Sequence, residues 1–246
     1  MSRCHRWFVC SLFLALMLPA SAWAQSPPTK AGTQKGGFNL ESFESNQMLN
    51  KAQLQKMEAL SKKRQGAIRN MENLARQPNY PNKARVFFML GEFYWREAKY
   101  QYLKDRRKFD KEMEAFEAKR LAIEPAEPTE DYTVSLSYYR KLINEFPNYS
   151  RIDEVFYYLG RGALKQGKQT KNPHLLKEGQ VRLQKMQKEY PKSRLIAKTH
   201  LALAEHFFDQ DSLYFAKTNY EKLLNDHPRS SMYNYALYKL GWVYYN

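Results

Sequence analysis

The same spacing of proline, leucine and a small residue occurs four times along this chain, and few folds accommodate such a repeat. Each small residue stands thirteen positions after a proline and directly follows a leucine. On a helix, the leucine and the small residue share a face with the residue three positions later, and a small residue lets a second helix approach closely. The spacing therefore predicts helical hairpins packed on one another. The four copies are Pro78 with Leu90 and Gly91, Pro147 with Leu159 and Gly160, Pro191 with Leu203 and Ala204, and Pro228 with Leu240 and Gly241.

Apolar residues from Glu41 onward have the spacing of helices. Met57, Leu60, Ile68 and Met71 illustrate separations near three, four and seven, and no stretch alternates with a period of two. The prolines stand where one helix would end or the next begin. We therefore predict an all-α fold.

The residues between Ala204 and Pro228 identify the type of repeat. Ala216 and Tyr220 complete the order Leu-small, aromatic, Ala, Tyr, Pro that is typical of a tetratricopeptide repeat. The chain thus resembles tetratricopeptide-repeat proteins of the bacterial envelope over about residues 67–246, which implies a tetratricopeptide-like helical-hairpin solenoid. Three segments are similar to the longer-turn repeats of the outer-membrane assembly lipoprotein and of the Tol–Pal-associated periplasmic protein. They are YYRKLINEFPNYSRIDEVFYYLGRGA, LQKMQKEYPKSRLIAKTHLALAEHFF and YEKLLNDHPRSSMYNYALYKLGWVYYN.

The ending YALYKLGWVYYN resembles delta-proteobacterial periplasmic repeat proteins, some of them linked to gliding motility. Such families share a scaffold and differ in their partners, so the resemblance implies the fold more strongly than the function.

The first repeat is longer than the others and predicts an insertion at about residues 97–130. Successive repeat prolines are 69, 44 and 37 residues apart, against about 34 in a regular array. Aromatic and apolar residues recur every seven positions in a charged stretch, which indicates one coiled-coil-like helix from about Lys83 to Ile123. A turn at residues 124–131 and a shorter return helix, Tyr132 to Phe146, would leave the tip uncovered. The seven-residue series is Trp95, Tyr102, Phe109, Phe116 and Ile123.

The first 24 residues have the features of a secretory signal peptide. A basic start precedes an apolar run from Val9 to Leu18, and Ala22-Trp23-Ala24 forms a small-x-small cleavage site before Gln25. Both cysteines lie inside this segment and neither follows the cleavage site, so we expect a periplasmic protein without disulfides or a lipid anchor, with association to the outer membrane left open. The predicted organisation is a signal peptide at 1–24, a flexible linker at 25–40, an N-terminal helical hairpin at 41–77 and repeats at 78–246.

No pattern of residues indicates catalysis, and we expect no enzyme activity, no cofactor and no metal. The chain has no H-E-x-x-H, G-x-S-x-G or phosphate-binding glycine loop. His200 and His206 are six residues apart and do not share a helix face. His206 with Glu205 and Asp209 could form an acid–base or metal cluster, but these residues are more simply explained as helix-surface and capping residues.

Charge narrows the class of partner. The formal charge is +15, and without Arg3 and Arg6 it is about +13. Nucleic acid is the usual partner of such a charge, but export argues against it, and anionic lipid, acidic glycan or an acidic protein fits better. We expect a periplasmic repeat scaffold that mediates protein–protein interaction in outer-membrane, cell-wall or motility machinery. Two alternatives stay open: a basic adaptor that binds anionic lipid or peptidoglycan directly, and a regulator of a cell-wall enzyme.

The resemblance also implies where a partner binds. In such repeats the first helix lines a concave groove with residues six and three before, and one and four after, the small position. A mixture of aromatic and basic residues there suits peptide recognition. The alternative is that insertions distort the solenoid and bury part of the set. The implied groove residues are Arg85, Phe88, Glu92, Trp95, Glu154, Tyr157, Arg161, Leu164, Lys198, Leu201, Glu205, Phe208, Tyr235, Tyr238, Trp242 and Tyr245.

Two further expectations concern the ends of the array. The rod tip, with Phe109, Phe116 and Ile123, is predicted to be a docking element, and the alternative is that the turn at residues 124–131 lies along this apolar stripe. The sequence ends at Asn246, after the first helix of the fourth repeat, so we expect the chain to belong to a longer array and to expose an apolar patch that includes Tyr238, Trp242, Tyr244 and Tyr245.

Overall fold

The structure is a computed structural model that describes residues 51–246. The predicted signal peptide, the linker and residues 41–50 lie outside the described residues. Within the described range all regular structure is helical, which confirms the predicted all-α class. The helices are α1 (Lys51–Arg76), α2 (Lys83–Glu117), α3 (Thr133–Glu145), α4 (Ile152–Gln169), α5 (Pro173–Glu189), α6 (Ile196–Asp209), α7 (Leu213–Asp226) and α8 (Tyr233–Tyr245).

Consecutive helices pack against each other, and α4 also contacts α6. Glycines allow the close approaches, as predicted. A Cβ built on Gly91 of α2 would lie 2.4 Å from Cε1 of Tyr139 in α3, and one built on Gly160 of α4 would lie 2.7 Å from Cγ of Leu183 in α5. These glycines are therefore the points where the two helices of a hairpin meet.

One hydrophobic core runs through the hairpins from α2 to α8. Its largest fully buried side chains include Tyr139, Tyr220, Phe88 and Leu203, because each helix of the stack covers the apolar face of its neighbours. A smaller cluster of Ile68, Val86 and Leu90 joins α1 to α2.

The repeat prolines lie between hairpins, as expected. Pro147 follows α3, Pro191 follows α5 and Pro228 follows α7. The turns within the hairpins α4–α5 and α6–α7 differ from these proline-containing turns between hairpins. Each has a non-glycine residue with positive φ shortly after the first helix, Lys171 (φ 52°) after α4 and Asp211 (φ 55°) after α6. These left-handed residues reverse the chain over two or three positions.

The long helix ends earlier than predicted. α2 stops at Glu117, with Ala118 as its C-cap, and Lys119 adopts φ 56°. The amides of Arg120 and Leu121 both bond to the carbonyl of Ala115, so the backbone turns back instead of continuing to Ile123. The 35 residues of α2 still span about 53 Å.

Residues 118–132, named the strap here, return along α2 without regular helix or strand. The guanidinium of Arg106 in α2 donates a hydrogen bond of 2.8 Å to Glu127 of the strap. Further back, the ring of Tyr132 stacks on Trp95 with centroids 4.0 Å apart. The strap therefore crosses from the tip of α2 to its middle, and α3 begins directly afterwards.

The described part of the predicted N-terminal hairpin is a single helix, α1. It packs on α2, where Arg64 donates to Glu97 at 2.9 Å and Tyr94 donates to Glu72 at 2.7 Å. None of the helices among residues 51–246 combines the length and apolar character needed to cross a bilayer.

Candidate concave binding surface

The first helix of each hairpin, α2, α4, α6 and α8, carries the residues implied to line a groove. The structure buries six of them, so these six do not line an open surface and the prediction is wrong for them. The buried members are Phe88, Trp95, Glu154, Tyr157, Leu164 and Tyr235.

The burial has identifiable causes near the insertion. Tyr132 of the strap covers Trp95, and the guanidinium of Arg151 lies 4.0 Å from the ring centroid of Phe88. The strap and the turn before α4 thus fill space that a regular array would leave open.

Ten of the implied groove residues keep accessible surface. Their role in binding stays a prediction. The partly exposed members are Glu92, Arg161, Leu201, Glu205 and Phe208, and the exposed members are Arg85, Lys198, Tyr238, Trp242 and Tyr245.

Glu154 holds successive repeats together. Its carboxylate accepts bonds from Arg151 at 2.7 Å and from Arg194, in the turn before α6, at 2.8 Å. The hydrogen bond from Arg151 lowers the pKa of Glu154 against the opposing effect of burial. Glu154 is therefore a structural ion-pair centre and is not available to a partner.

A polar cluster crosses from α4 through α6 to α8. The hydroxyl of Tyr235 donates to Oε1 of Glu205 at 2.6 Å, and Nζ of Lys239 lies 4.1 Å from the ring centroid of Phe208. Burial raises the pKa of Glu205, opposed by Tyr235, Lys239 and Arg161. Burial also lowers the pKa of Arg161 to about 10, partly offset by Glu205. The surface thus holds charges that have lost much of their hydration.

More cations lie where the strap meets α4. Lys165 forms an ion pair with Glu130 of the strap, whose side chain is 8% exposed. Burial lowers the pKa of Lys165, and the neighbouring charges of Lys99 and Arg161 lower it further, against the effect of Glu130. Charged residues of α2, α4 and the strap therefore act on Lys165.

Sequence reasoning missed Lys99, Lys165, Lys239 and Glu130. Lys165 directly follows an implied groove position, Leu164, so its place on the helix was a usable signal. No local pattern places Glu130, because its position depends on the path of the strap.

The exposed aromatic residues of α8 form a separate patch. Tyr238 and Trp242 pack edge to face with centroids 6.2 Å apart, and Trp242 and Tyr245 do so at 5.6 Å. A Cβ built on Gly241 meets no atom of the described residues within 4 Å. The side chains of Tyr238 and Trp242 are 53% and 43% exposed, in agreement with the expected apolar patch.

The rod-tip residues differ in exposure. Phe109 and Phe116 are partly buried, with the guanidinium carbon of Arg106 5.0 Å from the ring centroid of Phe109, whereas Ile123 is 78% exposed. The two phenylalanines therefore contribute to packing, contrary to the expectation of an uncovered stripe. Docking at the tip stays a prediction and now rests mainly on Ile123.

A cleft of about 310 Å³ lies between α1, α2 and α3. Arg76, Lys83 and Lys141 line it together with Glu72 and Glu145, so its charges nearly balance. Among residues 51–246 there is also no group of three His, Cys, Asp or Glu side chains placed to hold a metal ion.

The implied groove residues that keep accessible surface combine cations with aromatic rings, which suits the recognition of carboxylates and apolar side chains. Comparison with protein-family models and with curated proteins finds no match to this chain.

Proposed function

We propose that this protein is a non-enzymatic, periplasmic repeat scaffold that binds another protein of the cell envelope through its concave surface. The observation that carries the proposal is the combination of half-buried charges and accessible aromatic rings across α4, α6 and α8. Arg161, Glu205 and Phe208 belong to this surface, and Trp242 lies in the separate aromatic patch of α8. Stacked helical hairpins present such surfaces to extended partners.

Membership of the tetratricopeptide-repeat class and export to the periplasm belong to the same proposal. The support for the first is the recurring Pro, Leu and small-residue spacing, whose glycines meet Tyr139 and Leu183 in the neighbouring helices. The support for the second is the sequence of residues 1–24, with its apolar run and small-x-small site.

A site-specific photo-crosslinker tests the binding surface. It replaces Lys198, which is exposed on α6, in cells of the native host, and mass spectrometry identifies the adducts. The matched control replaces Lys188, which is exposed on α5, a second helix of its hairpin. We expect one envelope protein to crosslink at position 198 and not at position 188. Equal crosslinking at both positions, or none at 198, would contradict the proposal.

The formal charge supports the alternative that the protein is a basic adaptor for anionic lipid or peptidoglycan. Exposed charges are screened within about 8 Å at physiological ionic strength. Sedimentation with phosphatidylglycerol vesicles or purified peptidoglycan that disappears in moderate salt would favour the adaptor. Binding through a partly desolvated groove would persist under the same conditions.

A further inference from the structure

The cleft between α1, α2 and α3 brings charged side chains of both signs together with aromatic rings. Arg76 is the last residue of α1, Lys83 is the first residue of α2, and Lys141 and Glu145 lie near the end of α3. The volume of about 310 Å³ falls at the lower end of the range for small-ligand sites. None of the lining residues belongs to the implied groove, so this cleft is a separate candidate site.

Two aromatic rings line the cleft beside two of its cations. The ring centroids of Phe87 and Tyr138 are 6.0 Å apart, and the side chain of Tyr138 is partly exposed. Nζ of Lys83 lies 5.9 Å from the Phe87 centroid, and Nζ of Lys141 lies 5.3 Å from the Tyr138 centroid. A ligand that reaches these cations therefore also meets aromatic surface.

The charged side chains at the cleft keep their capacity to bind a ligand. Within the described part of the chain, none of the three cations that line the cleft forms an ion pair. Among the same residues Glu145 forms none either, although it stands four positions after Lys141 on α3. The other carboxylate, that of Glu72, accepts a hydrogen bond of 2.7 Å from the hydroxyl of Tyr94.

We propose that this cleft binds a small zwitterion of the amino-acid or dipeptide class. Its carboxylate binds the cations, its ammonium group binds Glu145, and an apolar side chain packs on Phe87 and Tyr138. Hydrogen bonds between ionised groups are shorter and stronger than neutral ones, so the two charged ends orient the ligand. The inference goes beyond the proposed function, because it concerns a small ligand and residues outside the implied groove.

Isothermal titration calorimetry of the full chain with the dipeptide phenylalanyl-alanine tests the inference. The matched ligands are its N-acetylated form, which lacks the ammonium group, and its C-terminal amide, which lacks the carboxylate. We expect the free dipeptide to bind and each blocked form to bind about tenfold more weakly, since each loses a charge-assisted bond. Free phenylalanine measures whether one residue is sufficient, and binding of either zwitterion supports the class.

Variants assign each charged end to its residue. K83Q should weaken binding of the free dipeptide by about tenfold and leave binding of the amide unchanged, because the amide has no carboxylate to lose. E145Q should weaken binding of the free dipeptide by a similar factor and leave binding of the N-acetylated form unchanged. Thermal melting shows whether each variant folds, and K141Q takes the place of K83Q if K83Q does not fold.

Matched controls separate the cleft from the general charge of the protein. K188Q and E189Q remove exposed charges of α5, and neither should alter the affinity for the dipeptide. Failure of both zwitterions to bind, or equal losses in K83Q and K188Q, would overturn the inference. Undiminished binding of the N-acetylated form, or displacement of the dipeptide by inorganic phosphate, would assign the cleft to simple anions and would also overturn it.

The outcome is independent of the proposed function. Crosslinking at position 198 together with a cleft that binds neither zwitterion would leave the scaffold proposal standing and remove the inference. A cleft that binds the dipeptide while position 198 crosslinks to nothing would do the reverse.

Discussion

At Gly160 the lack of a side chain sets the distance between two helices. Its built Cβ would meet Cγ of Leu183 at 2.7 Å and the carbonyl oxygen of Gly179 at 3.1 Å. Gly179 is in turn so close to the backbone of α4 that its own Cβ would lie 2.6 Å from the carbonyl oxygen of Gly160. Two facing glycines thus let α4 and α5 approach through their backbones.

Replacement of Gly160 by leucine should destabilise the protein by about 1–3 kcal/mol or more, because the new side chain must separate α4 from α5. Gly241→Leu is the matched control, since it stands at the same repeat position with open space around its Cβ. We expect Gly241→Leu to leave the free energy of unfolding unchanged or to raise it by up to about 1 kcal/mol, because leucine favours a helix more than glycine does. Urea unfolding followed by circular dichroism measures both, and similar values for the two variants would refute the packing role.

Among the elements, the turn between α4 and α5 stores backbone strain. Thr170 caps α4, Lys171 adopts φ 52°, and the side chain of Asn172 accepts bonds from the amides of His174 at 3.0 Å and Leu175 at 3.3 Å. Lys171 thus occupies the left-handed conformation that glycine adopts at much lower cost.

Lys171→Gly should raise the free energy of unfolding by about 0.5–1 kcal/mol, because glycine removes the left-handed penalty and loses some of the gain through greater freedom when unfolded. Lys177→Gly, which also replaces an exposed lysine but inside α5, should lower stability by about 1 kcal/mol. Thermal melting of the two variants should therefore shift in opposite directions. A shift of the same sign in both would show that the turn carries no strain.

The strap allows a test of docking at the rod tip without loss of fold. Ile123 is 78% exposed, so Ile123→Ser should change the free energy of unfolding by no more than about 0.5 kcal/mol. If the tip is a docking element, the variant should lose crosslinking to the partner, whereas Val181→Ser, at an exposed position on α5, should retain it. Full crosslinking in the Ile123→Ser variant would remove the tip from the binding surface.

On the scale of the whole molecule, two buried histidines of α6 make the free energy of unfolding depend on pH. Burial lowers the pKa of His206, partly offset by Asp209. Burial also lowers the pKa of His200, with Lys222 and His227 lowering it further and Asn219 and Asp226 acting in the opposite direction. Both rings stay neutral in the folded chain at a pH where the unfolded chain takes up protons.

Because the unfolded state binds more protons, the free energy of unfolding should fall as the pH decreases through about 6.5 toward the folded pKa of each ring. Urea unfolding at about pH 7.5 and about pH 5.5 measures the loss. His206→Phe should reduce the loss, and His174→Gln, at an exposed position on α5, should not change it. Glu205 acts in the opposite direction, because its raised pKa means that the folded carboxyl binds a proton at a higher pH than the unfolded carboxyl, which titrates near 4.5. This opposing effect lies mainly at lower pH. A loss that is the same in His206→Phe and the wild type would exclude His206 as a cause.

Local patterns in the sequence determine much of this architecture. The separations of Pro147, Leu159 and Gly160, and their counterparts in the other repeats, predict helical hairpins whose small residues are packing points, and the structure confirms this at Gly91 and Gly160. The reason is that helix periodicity, proline and the need for close packing act over a few residues and so leave a mark in the sequence.

Only the tertiary structure decides the path of the strap and which of the implied groove residues are buried. Tyr132 stacks on Trp95, and Glu130 pairs with Lys165, so residues about 35 positions apart meet through irregular backbone that has no period to detect. These contacts bury Trp95, which the regular repeat would leave in the groove. The site differs from expectation because long-range contacts of an irregular segment depend on the packing of the whole chain.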